Sequence, residues 1–403
     1  MKAIFEKDFL PGSLFLFVTL TLATGWIGYK NGQWAHADAA LQSLRADLLG
    51  PVRMLHQEPV VVPEDTASEV TVQPKLKALD SISIIGVGDM MLGTNYPSTS
   101  YLPPKEGRDL LAPVLHILQN ADLTFGNLEG TLFDKGGAPK TCRNPETCYT
   151  FRTPAAYADR YLEAGFDLLS IANNHSGDFG PEGRRLTKQT LKEAGIAFAG
   201  LAGTDETTVV ERNGRKFGMC AFAPNSGTCD LRNIARAQEI VKKLVAECDI
   251  VIVSFHGGAE GASHQHVPKQ TEQFLGENRG DVYKFAHAVI DAGADVVFGH
   301  GPHVTRGMEV YKDRFIAYSL GNFCTYGRFS LSGPAGLAPI AKVVTDAEGR
   351  FLKGQLTATY QQKTHGPKID PQGRVIQNVI QLSKSDFPGS PLVIEPDGRM
   401  YLK

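Results

Sequence analysis

From residue 81 onward the apolar positions alternate between two rhythms. Short runs at 81–88, 121–125, 166–172, 196–200, 216–223, 249–255 and 294–298 have the length and β-branched content of buried strands. Between them, 110–120, 155–164, 181–194, 231–247 and 282–292 carry apolar residues at helical spacing. Pro181 suits a first helical turn. Residues 304–310 and 315–320 read as a hairpin turning at Lys312 and Asp313. After about Leu337 the helical spacing fades, and 338–345, 351–360 and 374–380 are predicted as strands separated by Glu348-Gly349 and Gln372-Gly373 turns. The alternation predicts a layered α/β sandwich over 81–330, completed by a β-rich C-terminal part over 331–403.

The first 80 residues follow a different pattern. Residues 9–29 contain no charged side chain and are long enough for a helix crossing a bilayer core of about 20 residues. Ala35-His-Ala37 offers a cleavage-like spacing, but the apolar run exceeds a usual signal-peptide core and is followed by polar Lys30-Asn-Gly-Gln. The span length favours an uncleaved membrane anchor over 1–30, with export followed by cleavage as the alternative; 31–80, with Pro59, Pro63 and Pro74, reads as a linker. The expected location is therefore the cell membrane with an extracytoplasmic domain, or a secreted or periplasmic domain after cleavage. Lys2 and Lys7 are offset by Glu6 and Asp8, so charge specifies orientation only weakly. A net charge of -2 and the lack of a Lys/Arg block argue against a nucleic-acid partner.

Residues able to do chemistry collect where the predicted strands end. Asp89 follows the first, Asn127 and Glu129 the second, Asn174 and His175 the third, His256 the run at 249–255, and His300 and His303 the run at 294–298. Singly, each has an ordinary reading as a cap, a turn residue or a surface histidine. Together they form a set of oxygen and imidazole donors that a divalent Mn, Fe or Zn ion accepts, at the sheet ends where α/β proteins build sites.

The motifs GDMMLG at 88–93, NLEG at 127–130, NNH at 173–175, HG at 256–257, HGPHV at 300–304 and YSLGNF at 318–323 occur in one order. As a set this resembles the CapA family of capsule and poly-γ-glutamate synthesis proteins, whose fold is similar to calcineurin-like metallophosphatases. The resemblance implies a metallophosphatase-like sandwich with one or two divalent ions held by Asp89, Glu129, Asn174, His256, His300 and His303. It implies that His175 is the catalytic acid or transition-state stabiliser, and it puts Asn127 and Arg152 at the substrate, with Arg152 clamping a phosphate or carboxylate. The expected partners are an anionic polymer such as poly-γ-glutamate or capsule, the capsule-synthesis machinery, and the membrane. Two departures stand out. Metallophosphatases open with Asp-x-His, whereas Met90 and Met91 follow Asp89, and the last histidines are spaced His-x-x-His around Pro302. Three functions fit: a metal-dependent hydrolase, a polymer-handling assembly component without turnover, and a structural accessory stapled by its metal. His264 and His266 face either substrate or solvent.

Of six cysteines, only Cys142 and Cys148 lie close together, flanking Pro145. A disulfide between them suits an exported domain. Peptide mapping of the native protein without reduction should recover the 142–148 segment as a cross-linked pair; two free thiols in protein taken from the cell envelope would disprove the bond.

Overall fold

The structure, a computed structural model, describes residues 81–141 and 148–403. The expected anchor at 9–29, the linker and Cys142 lie outside the described residues. Among the described residues no helix is long and apolar enough to cross a membrane. Cys220, Cys229, Cys248 and Cys324 are free thiols, and Cys148 is not among them.

Two twisted sheets face one another. In the first, Ile82–Met91, Leu123–Leu128, Leu168–Ser170 and Ala197–Ala199 run parallel. The long antiparallel pair Leu337–Thr345 and Phe351–Tyr360 extends this sheet on the other side of Ile82–Met91. In the second, Arg215–Phe222, Ile250–His256, Val296–His300 and Arg314–Ala317 run parallel, with antiparallel strands Thr207–Arg212 and Met308–Tyr311 at the edges. Parallel strands covered on both faces read as continuous apolar runs, which is why these segments lack polar alternation.

The inner faces share one core containing Ile84, Phe125, Ile252, Phe298, Met308, Phe315 and Leu356. Phe125 of the first sheet stacks on Phe298 of the second, with ring centroids 5.5 Å apart and planes inclined by 6°. Room for the Phe298 ring comes from Gly86, where a β-carbon would sit 2.5 Å from it. On the outer face of the second sheet, helices Ile234–Val245 and Val282–Asp291 bury Ile240, Leu244, Phe285 and Val289. Helix Gly180–Ala194 lies beyond the third strand of the first sheet, with Pro181 in its first turn and Gly195 closing it at φ 75°.

Three expectations are corrected. Residues 374–380, predicted as a strand, form the start of helix Arg374–Asp386. Its buried residues Val375, Ile376, Val379 and Leu382 follow helical spacing, and a mixed apolar run of this length is ambiguous without its packing partners. The helix predicted at 110–120 shrinks to the single turn Leu115–Leu118 behind a 3₁₀ turn at Ala112–Val114, where Pro113 removes a donor. Asp89 does not follow the first strand but lies inside it, because the strand continues to Met91 through a register irregularity on each side. The other strands and helices of 121–320 occur where predicted to within a few residues, and the Lys312-Asp313 hairpin turn is present, both residues having positive φ.

Phe298→Ala removes one half of the stacked pair at the centre of the sandwich. It should lower the unfolding free energy by about 3–5 kcal/mol, read by chemical denaturation of the protein. A loss below about 1 kcal/mol would show that the two sheets do not depend on this contact.

Candidate metal centre and cleft

Strand register brings the polar residues together. In the first sheet Asp89 is paired with Asn127 on one neighbour and with Asn322, of strand Asn322–Thr325, on the other. In the second sheet His256 is paired with His300, each the last residue of its strand. Glu129 leaves the second strand just past its end, with its N–H bonded to the Met90 carbonyl at 2.9 Å. Two rows of polar side chains are thus aligned by backbone hydrogen bonding. Gly88 makes the junction possible, since a β-carbon there would lie 2.0 Å from the Gly321 carbonyl oxygen.

Asn127 ties the two acids together. Its Nδ2 donates to Asp89 Oδ1 at 2.8 Å and to Glu129 Oε2 at 2.7 Å. Asn173 in turn donates to Asn127 Oδ1 at 3.2 Å and to the Leu128 carbonyl at 2.7 Å, while its own Oδ1 accepts the His175 N–H at 3.0 Å. Asp89 Oδ2 meets His303 Nδ1 at 2.9 Å, and His300 Nδ1 lies 3.4 Å from Asp89 Oδ1. His303 reaches inward from a backbone at φ 56°, the conformation with which the loop accommodates its longer spacing.

Several buried polar atoms here lack any partner. Glu129 Oε1, both ring nitrogens of His256, both of His300, Asn174 Oδ1 and Asn322 Oδ1 make no hydrogen bond. His256 Nδ1 is 3.4 Å from Glu129 Oε2, near but not aligned for a bond. Buried polar atoms are nearly always satisfied, and each orphan costs about 1–3 kcal/mol. One ligand atom each from Asp89, Glu129 and His256 all lie within 4.8 Å of one another. Unpaired lone pairs converging from carboxylates and imidazoles fit a divalent cation, with Asp89, Glu129 and His256 at its centre and His300, His303, Asn174 and Asn322 within the surrounding set.

The electrostatics agree. Burial, together with the neighbouring Asp89 charge, pushes the Glu129 carboxyl well above its usual range. Burial also pushes His256 well below the usual imidazole value. At Asp89 burial acts upward but is outweighed by His300 and His303, which hold the carboxyl well below the ordinary range. His303 is lifted to about 10, burial being overcome by its bond to Asp89. The Glu129 anion is thus disfavoured without a cation, and His256 stays neutral with one ring nitrogen free to coordinate.

Beside this cluster opens a cleft of about 1040 Å³, whose wall includes Asn174, His175, His303 and Asn322. His175 Nδ1 is 2.8 Å from Asp178 Oδ2, and Asp178 also accepts the Phe151 N–H at 2.7 Å and has Lys140 Nζ 2.6 Å from its other oxygen. Burial lowers the His175 pKa against the pull of Asp178, so near neutral pH the ring is uncharged. With Nδ1–H directed at Asp178, Nε2 offers a lone pair. Phe151 packs on His175 at 4.3 Å and on Phe329 at 5.2 Å, and Phe329 meets His303 at 5.5 Å, giving the mouth an aromatic rim.

Other expected residues lie elsewhere. Arg152 does not line the cleft; its Nε donates to Asn95 Oδ1 at 2.7 Å, and its guanidinium sits 5.0 Å from the Phe179 ring and 5.8 Å from Phe133. Both amide atoms of Asn127 are committed inside the protein, which makes it the brace of the acids instead of a substrate contact. His264 and His266 are not in the cleft wall, and His266 pairs with Asp386 at 2.7 Å. Sequence reasoning missed Asn322, although the YSLGNF motif contained it, and missed the cations Lys140, Arg279 and Arg328 on the wall, which no motif marks.

Comparison with known proteins bears on the whole of this region. The chain is 29% identical over 280 residues to capsule biosynthesis protein CapA of Bacillus anthracis, covering 64% of this chain and 62% of that protein. It is 27% identical over 268 residues to PGA biosynthesis protein CapA of Bacillus subtilis strain 168, covering 62% of this chain and 65% of that one. The chain therefore matches less than two thirds of the length of either relative. Among solved structures, the 5'-nucleotidase precursor from Thermus thermophilus superposes with a TM-score of 0.39 at 14% identity, over 75% of this chain and 58% of that one. A likeness of that size says nothing about chemistry. The model of the bacterial capsule synthesis protein family PGA_cap matches residues 83–326, more than half of the chain and the whole span from Asp89 to Asn322, and the chain belongs to that family.

Proposed function

We propose that the protein handles an anionic polymer such as poly-γ-glutamate during capsule synthesis, export or attachment, through a metal-dependent hydrolytic site in this cleft. The carrying observation is the convergence of Asp89, Glu129 and His256 ligand atoms within 4.8 Å, among buried nitrogens and oxygens without partners. Asp89, Glu129, His256, His300 and His303, with Asn174, would hold one or two divalent ions, of which Mn, Fe and Zn suit the donors. When bound, such an ion supplies positive charge that polarises a phosphoryl or acyl oxygen and raises the acidity of nearby water. An uncleaved N-terminal segment would tether this domain outside the cytoplasm, within reach of an exported polymer.

His175 performs the proton work. Asp178 fixes its tautomer through Nδ1, and Nε2 is left to take a proton from an attacking group and return it to the leaving atom. Phe151 and Phe329 shield this edge from bulk water, so the proton passes between substrate and ring. Asn127 carries no proton. It holds the two acids at a fixed separation and prevents them from turning apart.

The two groups of residues should separate in experiment. Glu129→Ala and His256→Ala should each reduce metal content of the purified protein by elemental analysis and lower its melting temperature. His175→Ala should retain metal and fold while slowing turnover by roughly two to four orders of magnitude. Turnover is read on γ-glutamyl peptides and on simple phosphoesters, because the bond cleaved distinguishes polymer processing from phosphoesterase activity. Metal retention with no hydrolysis of either substrate would leave polymer binding without turnover. Protein that stays metal-free after incubation with Mn, Fe or Zn would overturn the metal site.

A further inference from the structure

Two buried arginines near the cleft are treated differently by the fold. Arg306 is fully engaged: Nε donates to the His264 carbonyl at 2.8 Å, and Nη1 and Nη2 bond Glu272 at 2.8 and 2.7 Å. Its Nη2 also reaches the Ala259 carbonyl at 3.2 Å. Glu272 begins the hairpin Glu272–Phe274 and Glu277–Gly280, so this pair clamps the hairpin base to the domain. Arg306 is a structural arginine.

Arg279 sits on the returning strand of that hairpin and lines the cleft, yet its Nε and Nη2 have no hydrogen-bond partner. Its side chain is only 2% exposed. Only Nη1 finds carboxylates, Glu260 at 3.0 Å and Glu277 at 3.6 Å. The backbone carbonyl of Arg279 accepts the Gly258 N–H at 2.9 Å, which holds it beside the segment leaving His256. Glu260 is itself part of the cleft wall. A guanidinium with part of its fork vacant, next to a metal-ligand cluster, is prepared for a two-oxygen acceptor.

Across the cleft wall, Arg328 is held by aromatic faces, its guanidinium 4.8 Å from the Tyr101 ring and 5.1 Å from the Tyr149 ring. Stacking fixes the plane of a guanidinium while leaving its N–H edge available. We propose that Arg279 is the anion anchor of this cleft, gripping one carboxylate or phosphoryl group of the substrate next to the metal cluster, and that Arg328 meets a second anionic group further out. This rests on the reading of the cleft as the substrate site. It deepens that reading by assigning the specificity for negative charge to Arg279 and Arg328 in place of Arg152. Glu260 then acts as a resident carboxylate that partly neutralises Arg279 until the ligand arrives, and it sets how tightly an anion is held.

The test uses the full chain and titration calorimetry with two probes, inorganic phosphate and a γ-glutamyl oligomer, alongside metal content and melting temperature. Arg279→Met should weaken anion binding by about tenfold or more with metal content unchanged, and Arg279→Lys should recover only part of it. Glu260→Gln should act in the opposite direction and tighten binding several-fold by removing the competing charge. Dependence of phosphate binding on Arg279 assigns a phosphoryl group, and dependence of oligomer binding alone assigns a carboxylate. A folded, metal-replete Arg279→Met protein that binds both probes as tightly as the parent overturns the proposal while leaving the metal site standing. Should Arg279→Met fail to fold, unchanged or weaker binding by Glu260→Gln overturns it equally. A parent protein that keeps its metal but binds neither probe overturns both this assignment and the polymer-handling function.

Discussion

Two buried carboxylates side by side are the constraint on which this structure turns. Asp89 and Glu129 are both fully buried and braced by one asparagine. Like charges at such close quarters in a low-dielectric interior repel strongly, and burial alone already disfavours each of them. The fold answers with His303 bonded to Asp89 and His300 close by, and leaves Glu129 Oε1 and the ring nitrogens of His256 and His300 without hydrogen bonds. What would be a costly defect in a core is coherent as a preformed cation site, because a metal ion neutralises the acids and engages the orphaned lone pairs together.

The surrounding architecture follows from the need to hold those donors still. Within each sheet, hydrogen-bond register sets Asp89 beside Asn127 and Asn322, and His256 beside His300. Side chains projected from strand ends are more fixed than side chains on free loops. Gly86 and Gly88 let the sheets and the Gly321 loop approach closely enough, and the Phe125–Phe298 stack keeps them there. Packing deep in the sandwich therefore determines the donor geometry at its edge.

The buried donors lie beside a cleft whose wall carries His175, paired through Nδ1 with Asp178, and the cations Lys140, Arg279 and Arg328. Family membership fits capsule work, and the two Bacillus relatives are called capsule or PGA biosynthesis proteins.

The amino-acid sequence by itself determined the alternation of strands and helices over 81–330, since a covered parallel strand must be a short apolar run and an amphipathic helix must repeat near 3.6 residues. It also marked Asp89, Glu129, Asn174, His256, His300 and His303 as candidate donors, because they stand in or just after apolar runs and recur in ordered motifs. The tertiary structure decided the rest. Residues 374–380 have an apolar pattern that either a helix or a strand can use, and only packing on the sheet selected the helix. Arg152 and Arg279 look alike in sequence, and their different roles come from neighbours distant along the chain: an aromatic box for one, a cleft wall for the other. Asn127 became a brace and Asn322 a site residue through strand register, a long-range pairing that local sequence does not encode.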